Sequence, residues 1–163
     1  MPNRPVASTM LNQFVVFGLD EQHYGLPLKA VLRVVRMMEV VILPKAPDIV
    51  LGVIDVQGEI IPVMSMRRRF GRAEPEASLS DQIIVADTTT RRVALIVTSV
   101  TGVVERAAED ITKAAEIVPG SQYVEGISRL DDGLLFIHDL DRFLSKKEER
   151  QLDDLLARGA AKV

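Results

Sequence analysis

Apolar positions along the chain fall mainly in short runs closed by Gly, Pro, Asp or Thr, a punctuation that predicts β-strands joined by tight turns. Phe14–Leu19 is apolar on both faces and reads as a central strand, Asp20–His23 supplies a turn, and Tyr24–Leu28 is the hairpin partner. Val31, Val34 and Val35 keep i, i+3, i+4 spacing, which predicts a helical turn within Leu28–Arg36. Val40–Leu43 reads as a short strand ended by Pro44 and Pro47. The segment Gly52–Gly71, GVIDVQGEIIPVMSMRRRFG, predicts strand, turn at Gln57-Gly58, strand, and a basic helical turn that stops at Gly71. Arg72–Ser80 is polar with a Pro and reads as a hinge between two halves. Gln82–Asp87 and Arg92–Val97 form a second hairpin with Thr88–Arg91 at its tip. Ala107–Gln122 is the least regular stretch, with a turn at Pro119-Gly120. Ser145-Lys146-Lys147-Glu148 is a capping box opening a helix whose apolar stripe is Leu152, Leu155 and Leu156, with Gly159 as its stop. Packing of that stripe on the domain is the expected outcome; service to a partner is the alternative.

The strand pattern occurs twice. Gly52 aligns with Gly126 at an offset of 74, which also pairs Ile61 with Leu135, Val63 with Ile137 and Met66 with Leu140. The preceding segment repeats at an offset of 69: Phe14–Phe17 matches Ile83–Ala86, Tyr24-Gly25-Leu26 matches Val93-Ala94-Leu95, and Val31, Val34 and Val35 match Val100, Val103 and Val104. Any two β-rich halves share Val and Ile, but the conserved order of elements makes internal duplication the better explanation.

Composition narrows the function classes. At 163 residues the chain fits one domain or two tightly packed small ones. No window approaches the roughly 18 continuous apolar residues of a membrane span. The first eleven residues, with Pro2, Arg4 and Pro5, hold no apolar signal core, so a cytoplasmic location is expected and direct membrane insertion is not. There is no cysteine, which removes disulfides, thiolate metal sites and a cysteine nucleophile. Net charge is −3, with 20 basic and 23 acidic residues, and there is no Trp; a nucleic-acid partner would call for a basic and often aromatic footprint. Arg67-Arg68-Arg69 is the one basic cluster, expected to be a solvated helical turn rather than a phosphate site.

Catalytic material is scarce. Two histidines, His23 and His138, with no cysteine and no GxSxG, cannot supply a nucleophilic triad or a zinc site. Asp139 and Asp141 invite a metal or acid–base reading, yet Asp139 before Leu140 also reads as a helix N-cap. Gly-rich phosphate loops are absent. No catalytic, metal-binding or cofactor-binding residue is assigned, and the residues alone lead to a binding or scaffolding domain.

The succession QFVVFGLDEQHYGLPL, the Val31 turn, GVIDVQGEIIPVMSMRRRFG, QIIVAD, VALIVTSVTGVVE and GISRLDDGLLFIHDLDRFL resembles the CheW family of bacterial chemotaxis coupling proteins. The resemblance implies a mostly β fold of two small five-stranded β-barrels of the Src-homology-3 type, packed around a shared apolar core, with short helices and a C-terminal helix. It implies a CheW-like domain over residues 12–144, divided into subdomains of about 12–72 and 82–144, a flexible tail over 1–11 and the C-terminal helix over 145–160. It also implies a non-enzymatic adaptor, coupling the cytoplasmic tips of chemoreceptors to the regulatory domain of a CheA-type histidine kinase in membrane-associated arrays, with other CheW-like domains as further partners. A CheW-like adaptor of another chemosensory-type pathway, serving twitching, development or gene regulation, is the alternative.

Groove positions implied by that resemblance are Val31 and Val34 in the first half and Val100 and Val103 in the second, for each of which plain core packing is the bland reading. Two departures stand out. Family members usually carry Asn-Leu-Arg-Gly where this chain has Asp55-Val56-Gln57-Gly58, and an acidic residue where it has Arg33. Gln57 keeps hydrogen-bonding capacity but not a guanidinium's charge or forked donors. A partner matched to these changes is the expectation; neutral drift is the alternative.

Overall fold

A computed structural model describes residues 11–113 and 123–162. The chain forms two compact units. One joins the residues up to Val31 with Thr98–Leu140; the other joins Leu32–Val97 with the segment from Asp141 onward. Residues 1–10, most of the expected N-terminal tail, and the turn expected at Pro119-Gly120 lie outside the described residues.

The first unit holds a six-stranded sheet built from β1 (Leu11–Leu19), β2 (Gln22–Pro27), β8 (Ser99–Ala107), β9 (Thr112–Lys113), β10 (Val124–Leu130) and β11 (Gly133–His138), in the order β8-β1-β2-β11-β10-β9. The second holds a five-stranded sheet of β3 (Val31–Arg36), β4 (Val50–Val56), β5 (Glu59–Met64), β6 (Gln82–Asp87) and β7 (Arg92–Val97), in the order β3-β6-β7-β5-β4. The fold is therefore mostly β, as the period-two pattern predicts.

Duplication explains both sheets, with one twist. By the sequence offsets, β6, β7 and β8 repeat β1, β2 and β3, while β10 and β11 repeat β4 and β5. The two sheets then have the same order, but each takes its hairpin from the other repeat. Hairpin β1–β2 pairs with β8 and, in parallel, with β11, placing Leu135 opposite His23 and Ile137 opposite Gly25. Hairpin β6–β7 sits between β3 and β5, with Val63 opposite Ala94 in the matching parallel seam. The strand contacts thus group the chain differently from successive subdomains over 12–72 and 82–144. Arg72–Ser80 is likewise not a hinge between units, because β5 before it and β6 after it share one sheet.

Each unit has its own apolar interior. Ile54, Ile61, Val63, Ile83, Val85, Ala94 and Ile96 form one cluster, with Val35 and Val56 against it. Phe14, Val16, Leu135 and Ile137 form the other, with Val104, Ile111 and Leu130 packed alongside. Alternate residues of strands supply both, since side chains on a strand point to opposite faces in turn.

The repeated glycine has a steric cause. At Gly52 the β4–β5 register shifts, and Val41 bridges the edge of β4 through two 2.8 Å bonds with Val53. A Cβ on Gly52 would lie 2.3 Å from the Val41 carbonyl oxygen. Gly126 does the same work in β10, where β9 crosses and a Cβ would lie 2.5 Å from Ile111 Cγ2.

Several local expectations change. The helical turn is confined to a 3₁₀ turn at Leu28–Ala30, and Val31–Arg36 is strand. Three residues cannot sustain a helix, and the β-branched run Val34-Val35 favours an extended chain once β6 offers a partner. Val40–Leu43 contributes only the isolated bridge at Val41. Of the arginines after β5, on the short helix α1 (Met66–Arg69), Arg67 and Arg69 are spent inside the molecule, while Arg68 stays exposed as the sequence predicts. Arg67 and Glu74, each with a side chain only 11% exposed, pair at 2.6 Å; Arg68 donates to the Asp48 carbonyl at 2.7 Å; Arg69 pairs with Glu148 at 2.7 Å and stacks over Phe143.

The capping box forms as its sequence requires. Ser145 N–H donates to Glu148 Oε1 at 2.8 Å and Glu148 N–H to Ser145 Oγ at 3.1 Å, opening α2 (Lys146–Lys162). Glu148 is penalised by burial, but hydrogen bonds from Arg69 and Ser145 outweigh that and hold its carboxyl below the usual range. Leu152 is fully buried, Leu155 and Leu156 half-buried, and Arg91 binds Glu149 at 2.6 Å and also Asp153. The helix is thus packed on its own unit.

Two outcomes test this fold. Gly52→Ala should lower unfolding free energy by roughly 2–3 kcal/mol, and Gly126→Ala by about 1 kcal/mol, because the first meets a backbone oxygen and the second a movable side-chain end; urea midpoints at equal m-values read the difference. Burial pushes His138 from 6.5 down to about 3. The unfolded chain therefore takes up a proton below about pH 6.5 that the folded chain refuses until about pH 3, so stability falls on acidification across that window. The slope is at most about 1.4 kcal/mol per pH unit for one proton. His138→Gln should flatten the pH dependence of stability between pH 6.5 and 4.5; an unchanged slope contradicts the assignment.

Candidate partner-binding surfaces

Among the described residues no group of three or more His, Cys, Asp or Glu side chains converges as a metal site. Asp141 accepts a hydrogen bond from Thr89 N–H at 2.7 Å, so its carboxylate fastens the β6–β7 tip. No helix is long and apolar enough to cross a membrane among the described residues.

The expected groove residues fall on strands at the ends of the two sheets. In the first unit, Val100 and Val103 lie on β8, an outer strand paired only with β1. Val103 is opposite Val15 and Val100 opposite Phe17, with Thr101 the extra residue of a bulge between them. Val15 and Phe17 are two apart and share a face, so the bulge brings Val100 and Val103 onto one face despite their spacing of three. Val103 is 51% exposed and Val100 half-buried.

In the second unit β3 is the corresponding outer strand. Val34 is 38% exposed and Leu32 43% exposed. Val35 packs against the unit's apolar cluster, so strand alternation puts Leu32 and Val34 together on the opposite face. Leu32 was not singled out by sequence; applying a strand period instead of a helical one finds it. Val31 opens β3 and is half-buried.

Arg33 and Gln57, read separately in the sequence, meet. Arg33 Nη1 donates to Gln57 Oε1 at 3.4 Å. Since β3 and β4 end opposite sides of the five-stranded sheet, this bond shows the sheet curling back on itself. Gln57 holds φ +53 in the β4–β5 turn, where Asp55 Oδ1 accepts from Gly58 N–H at 2.7 Å. The bond is long and exposed, worth less than about 1 kcal/mol, so its place is better explained by what it presents outward than by stability. Next to it Arg92 pairs with Glu59 at 2.8 Å and with Asp87 at 2.9 Å, and the Asp87 and Glu59 carboxylates push the Arg92 pKa up. The guanidinium thus stands on the edge strand and its acceptor in the turn.

Comparison with known proteins agrees with this architecture. Residues 13–148 match the family model of the CheW-like domain. The chain is 26% identical to the chemotaxis protein CheW of Treponema pallidum over 88% of both chains, and 26% identical to that of Klebsiella aerogenes over 90% of both. Among solved structures it resembles the scaffolding protein TtCheW from Thermoanaerobacter tengcongensis, with a TM-score of 0.76 at 29% identity, over 85% of this chain and 96% of that one.

If Arg33 and Gln57 act as a pair toward a partner matched to them, Arg33→Glu with Gln57→Arg should still bind that partner more weakly than the original chain, by an amount that differs from the sum of the two single losses. A double-mutant cycle by calorimetry reads the coupling, expected at about 1 kcal/mol; additive losses would make the two positions independent. The match of the family model across residues 13–148, most of the sequence, leads to one assignment: this chain belongs to the CheW-like domain family.

Proposed function

We propose that this protein is a non-enzymatic adaptor that couples the cytoplasmic tips of chemoreceptors to the regulatory domain of a CheA-type histidine kinase, working in the cytoplasm at membrane-associated receptor arrays. The observation that carries the proposal is the pair of equivalent outer strands. Each presents branched apolar side chains to solvent, Leu32 and Val34 on β3 and Val103 on β8, interleaved with the charges of Arg33, Arg36, Glu105 and Arg106. A helical receptor tip recognises such a face through a few apolar anchors rimmed by polar groups. Val31, Val34, Val100 and Val103 act as anchors, while Arg33 and Gln57 form the polar rim.

The relocated guanidinium favours a partner whose own charges differ from those met by the usual family pattern. A chemosensory pathway other than swimming chemotaxis accommodates the same reading, with its own kinase and receptor. Other CheW-like domains complete the set of partners this surface suits.

Purified protein titrated with the kinase regulatory domain and with receptor-tip fragments from the same genome should bind with roughly micromolar affinity. Val34→Asp and Val103→Asp should each weaken one or other of these interactions at least about tenfold, through burial of an unpaired charge, while leaving thermal unfolding unchanged. Ser80→Asp serves as the control. Full binding by both valine variants would exclude the outer strands as the docking surface.

A further inference from the structure

The duplication carries over to the cavities. In the second unit a cavity of about 140 Å³ lies between β3 and the β4–β5 turn, lined by Leu32, Arg33, Val56, Gln57, Val85 and Arg92 among others. The sequence offsets convert these six positions into Thr101, Gly102, Leu130, Asp131, Val16 and His23. All six line a cavity of about 350 Å³ in the first unit, between β8 and the β10–β11 turn. The two are one site, inherited twice.

They differ in what occupies them. In the second unit Arg33 fills the space and ties itself to Gln57, and Arg92 is held by Glu59 and Asp87. In the first unit Gly102 stands where Arg33 would be, and a Cβ built there meets nothing within 4 Å. His23 takes the place of Arg92 and reaches Asp132 at 3.3 Å. One copy of the site is plugged by its own side chains; the other is open.

The open copy has a defined chemistry. Its floor is apolar, from Val16, Val104 and Leu130, and Val103 stands exposed at its lip. Asp131 and Asp132 are exposed on the turn above it. The one guanidinium present, Arg106, already donates to the Glu105 carbonyl at 2.7 Å and the Arg129 carbonyl at 3.1 Å. Asp131 faces solvent, Asp132 stays 74% exposed although it meets His23, and the guanidinium is engaged, so the mouth is acidic. A volume near the bottom of the ligand-pocket range, roughly 300–1,000 Å³, suits one or two side chains rather than a cofactor.

From this we infer that the groove between β8 and the Asp131–Asp132 turn receives an apolar side chain of a partner polypeptide, flanked in that partner by a lysine or arginine that meets the two aspartates. The arrangement is the one Arg33 makes internally in the second unit, supplied here from outside. It does not depend on which signalling partner the outer strands bind.

The probes are two tripeptides, acetyl-Lys-Leu-Lys-amide and acetyl-Glu-Leu-Glu-amide, titrated into isotope-labelled full-length protein and followed by amide NMR. The basic peptide should give saturable shifts centred on Gly102, Val103 and Leu130–Gly133, and the acidic one at least about fivefold weaker binding. Asp131→Asn combined with Asp132→Asn should cut affinity for the basic peptide about fivefold and remove the preference. Gly102→Arg, which plants a guanidinium in the gap, should abolish binding; should its backbone not tolerate the change, the aspartate pair still decides. Equal binding of both peptides, shifts centred elsewhere, or no shifts would overturn the inference. So would concentration-dependent shifts at the same residues without peptide, which would assign the groove to a second copy of the chain.

Discussion

Pairing between strands of different repeats is the constraint on which the structure depends. The parallel seams β2–β11 and β5–β7, together with β1–β8 and β3–β6, are all joins between a hairpin from one repeat and strands from the other. Parallel neighbours need a crossover connection, and here the exchange supplies it. Neither repeat can complete a sheet of this order from the strands it donates. The loop-closure entropy of these long-range joins must be recovered by burying the apolar interiors, which is why the interior positions are nearly all Ile, Val and Leu.

That constraint also decides where association can happen. Exchange consumes the inner edges of each sheet and leaves β3 and β8 as outer strands in equivalent places. Both strands carry exposed apolar side chains, Leu32 and Val34 on β3 and Val103 on β8, beside the charges of Arg33, Arg36, Glu105 and Arg106. Gly52 and Gly126 show that the repeats kept their steric solutions, while Arg33 and Gly102 show that they parted in the surfaces they offer. Duplication preserved the frame and freed one copy of the cleft to change.

Much of this was legible in the sequence, and the reasons are specific. Hairpin β6–β7 and its tip follow from Thr88–Arg91 lying between two apolar runs, and the capping box at Ser145 needs only four residues to state itself. The offsets of 69 and 74 exposed the duplication because register-bearing glycines and inward valines are hard to replace. The partition into units was not legible, since strand exchange leaves each repeat's own pattern untouched. Val31–Val35 suits a helical period as well as a strand one, because valines three and four apart fit either geometry over so short a span. The fates of Arg67, Arg68 and Arg69 depended on Glu74, Asp48 and Glu148, whose nearness no local spacing reveals. Arg33 and Gln57 each stand out in the sequence, but their contact depends on the curl of the sheet.

The most direct test of the interleaved architecture is to place a protease site in the exposed Arg72–Ser80 segment, cleave the native full-length chain, and follow the product by size-exclusion chromatography and thermal unfolding. Strand exchange predicts that the two pieces stay together in native buffer and melt in one cooperative transition close to that of the intact chain. Pieces that separate and unfold independently, each as a domain of its own, would contradict it.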